Sequence, residues 1–307
     1  MNVDTTHVVQ QSSSLPPAQP AYILRGHQAQ IHAVHFFRHN TRLLTGDADG
    51  WVILWSIPTK RAVAVWRAHT NTVLGLAVWA DDKIITHGRD GKLCVWQVRE
   101  EDESGLSTTL PLDDADSIQD GSIAVTGLPS ERRVATIPPP QDVKTGMIMA
   151  IGLHTLGNDN GFVILAGYES GHAAVLTPVA GTSDWKVMYL RKAHSQPIMS
   201  LAVAHNLGAF FTSSADAVLA RHTVETGTLE TIRTKHAGQQ SLQVRSDEKI
   251  LATAGWDGRV RVYSTRTMKE LAVLKWHKEG CYAVAFAELD AEDDATGTLT
   301  KKTTTVQ

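Results

Sequence analysis

Residues 25–55 read RGHQAQIHAVHFFRHNTRLLTGDADGWVILW, and residues 67–96 read RAHTNTVLGLAVWADDKIITHGRDGKLCVW. In both, a histidine is followed 21 or 22 residues later by an aspartate. A threonine stands four residues before that aspartate and a tryptophan six after it. The sets are His27, Thr45, Asp49, Trp55 and His69, Thr86, Asp90, Trp96. The same spacing returns as His194, Thr212, Asp216, His222 and as His236, Thr253, Asp257, Tyr263. Four sets in register are an internal repeat of about 40 residues, and a repeat decides the architecture before any single element does.

The chemistry of the set is a hydrogen-bond relay. A buried aspartate must be paired, because an isolated buried charge is very costly. Imidazole can donate to it from one ring nitrogen and meet a threonine hydroxyl with the other. The hydroxyl can accept from an indole N–H. Such a chain ties the leading loop of each unit to its central strands and contributes most when fully satisfied. His222 and Tyr263 replace the tryptophan, and their relays are expected to be weaker.

Between these fixed points the chain reads as short strands. Ile31–Phe37 alternates apolar and polar residues, as do 73–78, 198–203 and 281–286. Leu43-Leu44, Ile84-Ile85, Phe210-Phe211 and Ile250-Leu251 open second strands. Asp49-Gly50, Asp90-Gly91 and Asp257-Gly258 are hairpin turns that lead into third strands ending at Trp55, Trp96 and Tyr263. Fourth strands fit 61–66, Leu229–Arg233 and 270–275. Four strands per unit of about 40 residues is a propeller blade.

Between the second and third sets lies room for two blades. Residues 147–179 fit one that lacks the relay, with Ala166, Ser170 and Leu176 at the threonine, aspartate and tryptophan positions. Residues 100–145 are acidic, then Ser/Thr-rich, then proline-rich, and keep strands only at 122–126 and 133–137. They read as a degenerate third blade carrying a surface insert, with the acidic stretch 100–120 a solvated loop. The last unit, opening at Trp276-His277, has a first strand and no second. The expected fold is an all-β propeller over residues 21–287 with seven blades, six being the alternative, the third degenerate and the last incomplete. Residues 21–24 are expected to close the ring by pairing into that last blade. Residues 1–20 and 288–307 read as disordered tails.

A chain of 307 residues with 42% hydrophobic content can bury a large core. It holds no apolar run near 18 residues, and residues 1–20 lack the basic and apolar regions of a signal peptide. No membrane association is expected. The two cysteines, Cys94 and Cys281, sit in strand-like runs and are expected to be buried thiols. The formal net charge is −3 with basic residues scattered, which argues against direct nucleic-acid binding. There is no phosphate-binding glycine loop, zinc-protease pattern, paired Cys-x-x-Cys or nucleophile elbow. An active site is needed once, whereas the His–Thr–Asp constellation recurs, so catalysis, cofactors and metal are not expected. His32, His35, His39 and His154 fall outside the register and read as surface or satisfied histidines. Of the remaining tryptophans, Trp79 and Trp256 are weak candidates for partner contacts. For each of them, packing between blades is the commoner role.

Arg25-Gly26-His27, Asp49-Gly50 and Trp55, with Ala68-His69, Asp90-Gly91 and Trp96, resemble WD40 repeats. The segments 128–137, 144–153 and 165–171 are similar to the fungal WD-repeat proteins associated with the ASTRA complex, whose animal counterpart is a Gβ-subunit-like WD protein. That resemblance implies a nuclear scaffold subunit in chromatin remodelling and in maturation of phosphatidylinositol-3-kinase-related kinases. The implied partners are Tel2/Tti-type co-chaperones, a Tra-type kinase-like protein and the Rvb ATPases. Two other readings compete. A cullin ubiquitin-ligase substrate receptor carries Trp-Asp-x-Arg at a repeat end. Here Trp55-Ser-Ile-Pro and Trp96-Gln-Val-Arg99 keep at most the arginine. A G-protein β subunit needs an N-terminal coiled coil, and residues 1–20 hold Pro16-Pro17 and no heptads.

Overall fold

The computed structural model describes residues 19–79, 83–90, 92–98, 107–112, 122–127, 132–156, 161–182 and 184–289. The two tails, apart from residues 19–20 and 288–289, lie outside these residues. So does the acidic stretch 100–120, apart from 107–112. These residues form five four-stranded antiparallel sheets, each with its strands in sequence order, and one two-stranded hairpin.

The first blade is β1 (Ile31–Phe37), β2 (Arg42–Asp47), β3 (Trp51–Ser56) and β4 (Arg61–Arg67). The second is β5 (Val73–Trp79), β6 (Lys83–Gly88), β7 (Leu93–Gln97) and β8 (Ser107–Leu112). The hairpin is β9 (Ile123–Gly127) with β10 (Arg132–Ile137). The third blade, the unit without a relay, is β11 (Ile148–Leu156), β12 (Gly161–Tyr168), β13 (His172–Pro178) and β14 (Trp185–Lys192). The fourth is β15 (Ile198–Ala204), β16 (Ala209–Ser214), β17 (Val218–Thr223) and β18 (Leu229–Arg233). The fifth is β19 (Gln239–Val244), β20 (Ile250–Gly255), β21 (Val260–Ser264) and β22 (Glu270–Leu274).

Among the described residues five blades are complete, so a ring of seven is not clearly formed. Where the sequence suggested a degenerate blade, the described residues hold β8, which completes the second blade, and the hairpin β9–β10. Ile123 and Ile137 of that hairpin pack on Ile164, Ala166, Tyr168 and Leu176 of the third blade. After β22, residues 281–289 form no strand, and none is paired to them among the described residues. The segment 21–24 is also not a strand. Its Leu24 packs instead beside Trp55, Phe36 and Ala285.

Blades join face to face through apolar layers. Ala33, Phe37, Leu44 and Leu54 of the first meet Val73 and Ile84 of the second. Phe211 and Leu219 of the fourth meet Leu242 and Leu251 of the fifth. Burial of such side chains stabilises by about 1.5–3 kcal/mol each. The turns add backbone ties. Gly50 has a φ of 88° and its carbonyl accepts from the N–H groups of Ala68 and His69 at the start of the next unit. A Cβ there would lie 2.0 Å from the His69 carbonyl oxygen, so only glycine fits.

Two places are less well covered. On the face that the third blade turns toward the hairpin, Ile164 and Ala166 are buried, but Met149, Ile151, Leu153 and Phe162 are exposed. Ile151 and Leu153 lie directly opposite Ala166 and Ile164 across the β11–β12 pair, so all belong to one face. The other place is the seam between the fifth and first blades, filled by residues 281–289. Cys281 and Val284 pack on Ala252, Ala254 and Val260, while Ala285 packs on Phe36, Leu43, Ile53 and Trp55. Tyr282 stacks on His32 with ring centres 5.0 Å apart. The Asn40 side chain closes the seam: Nδ2 donates to the Glu288 carbonyl and Oδ1 accepts from the Glu288 N–H, both at 2.8 Å. Asn40 ends a run of three left-handed residues, Arg38, His39 and Asn40.

Candidate functional site: the hydrogen-bond relays

In the second blade His69, Thr86, Asp90 and Trp96 lie within hydrogen-bond distance of one another in a chain. Trp96 Nε1–H donates to Thr86 Oγ1 at 3.0 Å, Thr86 Oγ1 meets His69 Nε2 at 2.8 Å, and His69 Nδ1 meets Asp90 Oδ1 at 2.9 Å. One proton arrangement satisfies every member. The imidazole is neutral and carries its proton on Nδ1, which donates to the carboxylate, while the threonine O–H donates to Nε2. Asp90 also accepts from the backbone N–H groups of Thr70 and Lys92. Burial alone would raise the Asp90 pKa, but these donors and His69 outweigh it and hold the carboxyl below its usual range.

The first blade builds the same relay on a different aspartate. Trp55 Nε1–H donates to Thr45 Oγ1 at 2.8 Å and Thr45 Oγ1 meets His27 Nε2 at 2.6 Å. His27 Nδ1 then meets Asp47 Oδ2 at 2.7 Å, not Asp49. The assignment of Asp49 is corrected. The reason lies two residues past the threonine. In the second blade this position is Gly88, and a Cβ added there would stand 2.3 Å from His69 Nδ1. A side chain at that position therefore points at the imidazole. Where it is a carboxylate, it takes the histidine, and Asp49 is left exposed at the turn. Asp47 Oδ1 also accepts from the N–H groups of Asp49 and Trp51.

The third set, in the fourth blade, reaches further than the four residues that define it. His194 Nδ1 meets Asp216 Oδ1 at 3.1 Å and its Nε2 meets Thr212 Oγ1 at 2.9 Å. Thr212 Oγ1 meets His222 Nε2 at 3.0 Å, and His222 Nδ1 meets the Tyr189 hydroxyl at 2.8 Å. The relay thus reaches β14 of the neighbouring blade. His222 stacks on Phe210 at 4.3 Å, and burial presses its pKa down to about 3, so it is neutral. Burial pushes the Tyr189 hydroxyl up to about 12, which keeps it a donor. Burial would also raise Asp216, but His194 and the Ser195 N–H hold it low.

The fourth set, in the fifth blade, is not a relay. His236 is half exposed and its Nδ1 stands 3.5 Å from Asp257 Oδ2. Arg261, 3% exposed, takes the carboxylate instead as a fork, Nη1 to Oδ1 at 3.1 Å and Nη2 to Oδ2 at 2.5 Å. Its hydrogen bond is the main reason Asp257 stays ionised to low pH. Thr253 Oγ1 and the Tyr263 hydroxyl are buried without hydrogen-bond partners among the described residues. A signal existed: Arg261 stands eight residues after its threonine, where the other units have Ile53, Cys94 and Ala220.

Of the weak partner candidates, Trp256 is exposed and its Nε1–H donates to Gln240 Oε1 at 2.9 Å. The Trp79 side chain lies outside the described residues, although its backbone ends β5. Outside the register, His154 is buried and stacks on His205. Cys94 and Cys281 are buried thiols, neither joined in a disulfide. Among the described residues, no three His, Cys, Asp or Glu side chains come together in a metal-binding group.

The description "WD domain, G-beta repeat" matches residues 18–56, 60–97 and 227–264. ASTRA-associated protein 1 of Penicillium rubens is 38% identical over 377 residues, covering 94% of this chain and 84% of that protein. The chain belongs to this family of WD-repeat proteins. ASTRA-associated protein 1 of Schizosaccharomyces pombe is 31% identical over 345 residues, covering 87% of this chain and 93% of the relative. Guanine nucleotide-binding protein subunit beta-like protein 1 of Mus musculus is 32% identical over 303 residues, covering 89% of this chain and 91% of the relative. The span aligned with the Penicillium protein exceeds the 307 residues of this chain, so that relative carries segments without a counterpart here.

Proposed function

We propose that the protein is a non-catalytic scaffold subunit of the ASTRA complex, working in the nucleus. Its partners on this reading are Tel2/Tti-type co-chaperones, a Tra-type kinase-like protein and the Rvb ATPases, and its task is assembly of phosphatidylinositol-3-kinase-related kinases and chromatin regulation. The observation that carries it is the identity to proteins named ASTRA-associated protein 1 across nearly the whole chain. The His–Thr–Asp groups support the absence of catalysis, because three of the four are spent inside blades holding loops to strands. A propeller of this kind offers rigid loops at both ends, suited to holding proteins together. We place the hairpin β9–β10 and residues 281–287 at the third and seventh positions of a seven-position ring. The cullin-receptor reading is not favoured, since no repeat end carries Trp-Asp-x-Arg. Affinity purification from the native host, with mass spectrometry, tests the proposal. Tel2/Tti proteins, a Tra-type kinase and Rvb ATPases are expected, whereas a cullin adaptor in their place would overturn it.

A further inference from the structure

The formal charge of −3 hides an uneven division. Of the 32 acidic residues, 15 lie among the described residues, against 26 of the 29 basic ones. The described residues are therefore a cationic body, although the chain as a whole is slightly acidic. Much of that excess has a regular place. Arg25, Arg67, Lys192, Lys235 and Lys275 stand one or two residues before His27, His69, His194, His236 and His277, and Lys144 leads into the third blade. All six are exposed. Each blade is thus entered past an exposed cation, except where the entry lies outside the described residues.

The loops that carry these cations are held to the turns at one end of the blades. His27, His69 and His194 bond to Asp47, Asp90 and Asp216. Beside Lys144, the Thr145 carbonyl accepts from the Ser170 N–H at 3.0 Å. Beyond Lys235, the Gly238 carbonyl accepts from the Trp256 N–H at 2.9 Å, and beyond Lys275, the His277 carbonyl accepts from Arg259 Nη1 at 3.3 Å. The six cations therefore share one end of the propeller. None of them is ion-paired among the described residues, and Arg67 Nη2 reaches only the Thr70 carbonyl, at 3.5 Å. Carboxylates at this end are largely engaged. Asp47, Asp90 and Asp216 hold histidines, Asp257 holds Arg261, and Glu169 accepts from the Met147 N–H. Asp49, Asp142 and Glu279 are exposed. At the other end several cations are spent on neighbours. Arg245 forks Asp247, Arg221 lies 3.7 Å from Glu230, and Arg38 and Lys60 lie over the rings of Phe37 and Tyr22.

The spacing decides which anion fits. Phosphates of a nucleic acid follow one another every few ångströms, and a surface that tracks them is a continuous basic stripe. Here the cations stand singly, one to a blade, with exposed carboxylates among them. A flexible protein segment can set its carboxylates at such intervals, each meeting a cation in a charge-assisted bond.

We propose that the end of the propeller bearing Arg25, Arg67, Lys144, Lys192, Lys235 and Lys275 is a docking ring for an extended Asp- and Glu-rich segment of a partner protein. The segment passes from blade to blade with its carboxylates on successive cations. Complementary charge of this kind governs encounter rate and choice of partner more than raw affinity. The proposal rests on the scaffold reading and names the chemistry that one partner presents to it.

The test titrates the full chain into a fluorescein-labelled peptide of aspartate, glutamate and glycine, read by anisotropy. Binding should saturate and should weaken about tenfold as salt rises from about 50 to about 200 mM. The triple variant Lys192→Glu, Lys235→Glu, Lys275→Glu should melt like wild type, since these side chains are exposed, and should bind about tenfold or more weakly. Arg61→Glu, Lys186→Glu, Lys269→Glu changes the net charge equally at the other end and should alter binding by less than about twofold. Four results overturn the proposal. One is absence of saturable binding. A second is equal weakening in the two triple variants, which reduces the effect to net charge. A third is tighter binding of a single-stranded oligothymidylate than of the peptide, which makes nucleic acid the occupant. The fourth is peptide binding that appears only when Glu100, Glu101, Asp102 and Glu103 are replaced by glutamine and asparagine, which makes the chain's own acidic stretch the occupant. Recovery of the ASTRA proteins at wild-type level with the first triple variant would overturn the ring as their contact while leaving the scaffold reading intact.

Discussion

Asp47 and Asp49 lie two residues apart, and replacing each by alanine should have very different effects. Asp47 accepts three hydrogen bonds, from His27 Nδ1 at 2.7 Å and from the Asp49 and Trp51 N–H groups at 3.0 and 2.9 Å. Its side chain is 3% exposed and that of His27 is 5% exposed, so neither reaches water readily. A buried bond to a charged acceptor contributes about 1.5–3 kcal/mol, and an orphaned donor loses its solvation as well. The two backbone donors sit at a turn that solvent reaches in part and count for less. Asp47→Ala should therefore cost about 3 kcal/mol, a fall of about 6 °C or more in Tm. The Asp49 side chain is exposed and makes no hydrogen bond among the described residues, so Asp49→Ala should stay within about 0.5 kcal/mol. Thermal unfolding by circular dichroism at neutral pH reads both. An Asp49 variant that loses as much as the Asp47 variant would sink the assignment of the relay.

His222→Gln should flatten the pH dependence of stability. The folded pKa of about 3 lies below the ordinary 6.5, so below pH 6.5 the unfolded chain takes a proton that the folded chain refuses. Stability contributed by the neutral ring is lost as pH falls from 6.5 toward 3, about 2 kcal/mol by pH 5. Urea midpoints at pH 7 and 5 check this, and parallel drops in wild type and variant would refute it. Asp257→Ala should cost about 3 kcal/mol, because it leaves the buried Arg261 guanidinium with only the half-exposed Glu270 carboxylate at 3.9 Å, whereas Arg261→Met should cost about 1 kcal/mol. Chemical unfolding of both variants reads that asymmetry, and a reversed order would count against the fork as the main tie. Gly88→Ala should break the second relay, since its methyl would collide with His69, and its Tm should fall by several degrees. Asn40→Gly keeps the left-handed turn but removes the clamp on Glu288, so hydrogen exchange at 284–289 should quicken before the blades themselves loosen.

The repeat was legible because its signals are chemical and periodic together. Histidine, threonine, the Asp-Gly turn and the closing aromatic agree at fixed spacing, and the strands of the first, fourth and fifth blades follow from them. The third blade was legible without the relay, from Val163 to Gly167 and the turn at Glu169-Ser170-Gly171. What stayed hidden depends on side-chain direction. Asp47 and Asp49 are both aspartates near one turn, and only the pleat decides which one faces His27. Arg261 was passed over because a template of histidine and aspartate gives no weight to a guanidinium across the hairpin. Tyr189 lies in another blade from His222, so no local spacing ties the two. β8 was missed because Ser107–Leu112 sits within a stretch that reads as acidic and Ser/Thr-rich. The blade count was the least legible part, since the length of the gap leaves room for blades without saying which strands fill them.

The uncovered flank of the third blade has a practical side. Met149, Ile151, Leu153 and Phe162 form an apolar stripe, and contiguous apolar patches on soluble chains are usually either partner surfaces or a route to self-association. The purified chain should brighten an environment-sensitive dye such as ANS while still fully folded. It should be retarded on a phenyl column and lose yield steeply as it is concentrated. Serine or lysine at Ile151 and Leu153 should ease all three behaviours without altering the relays, which touch the third blade only at Tyr189 of β14.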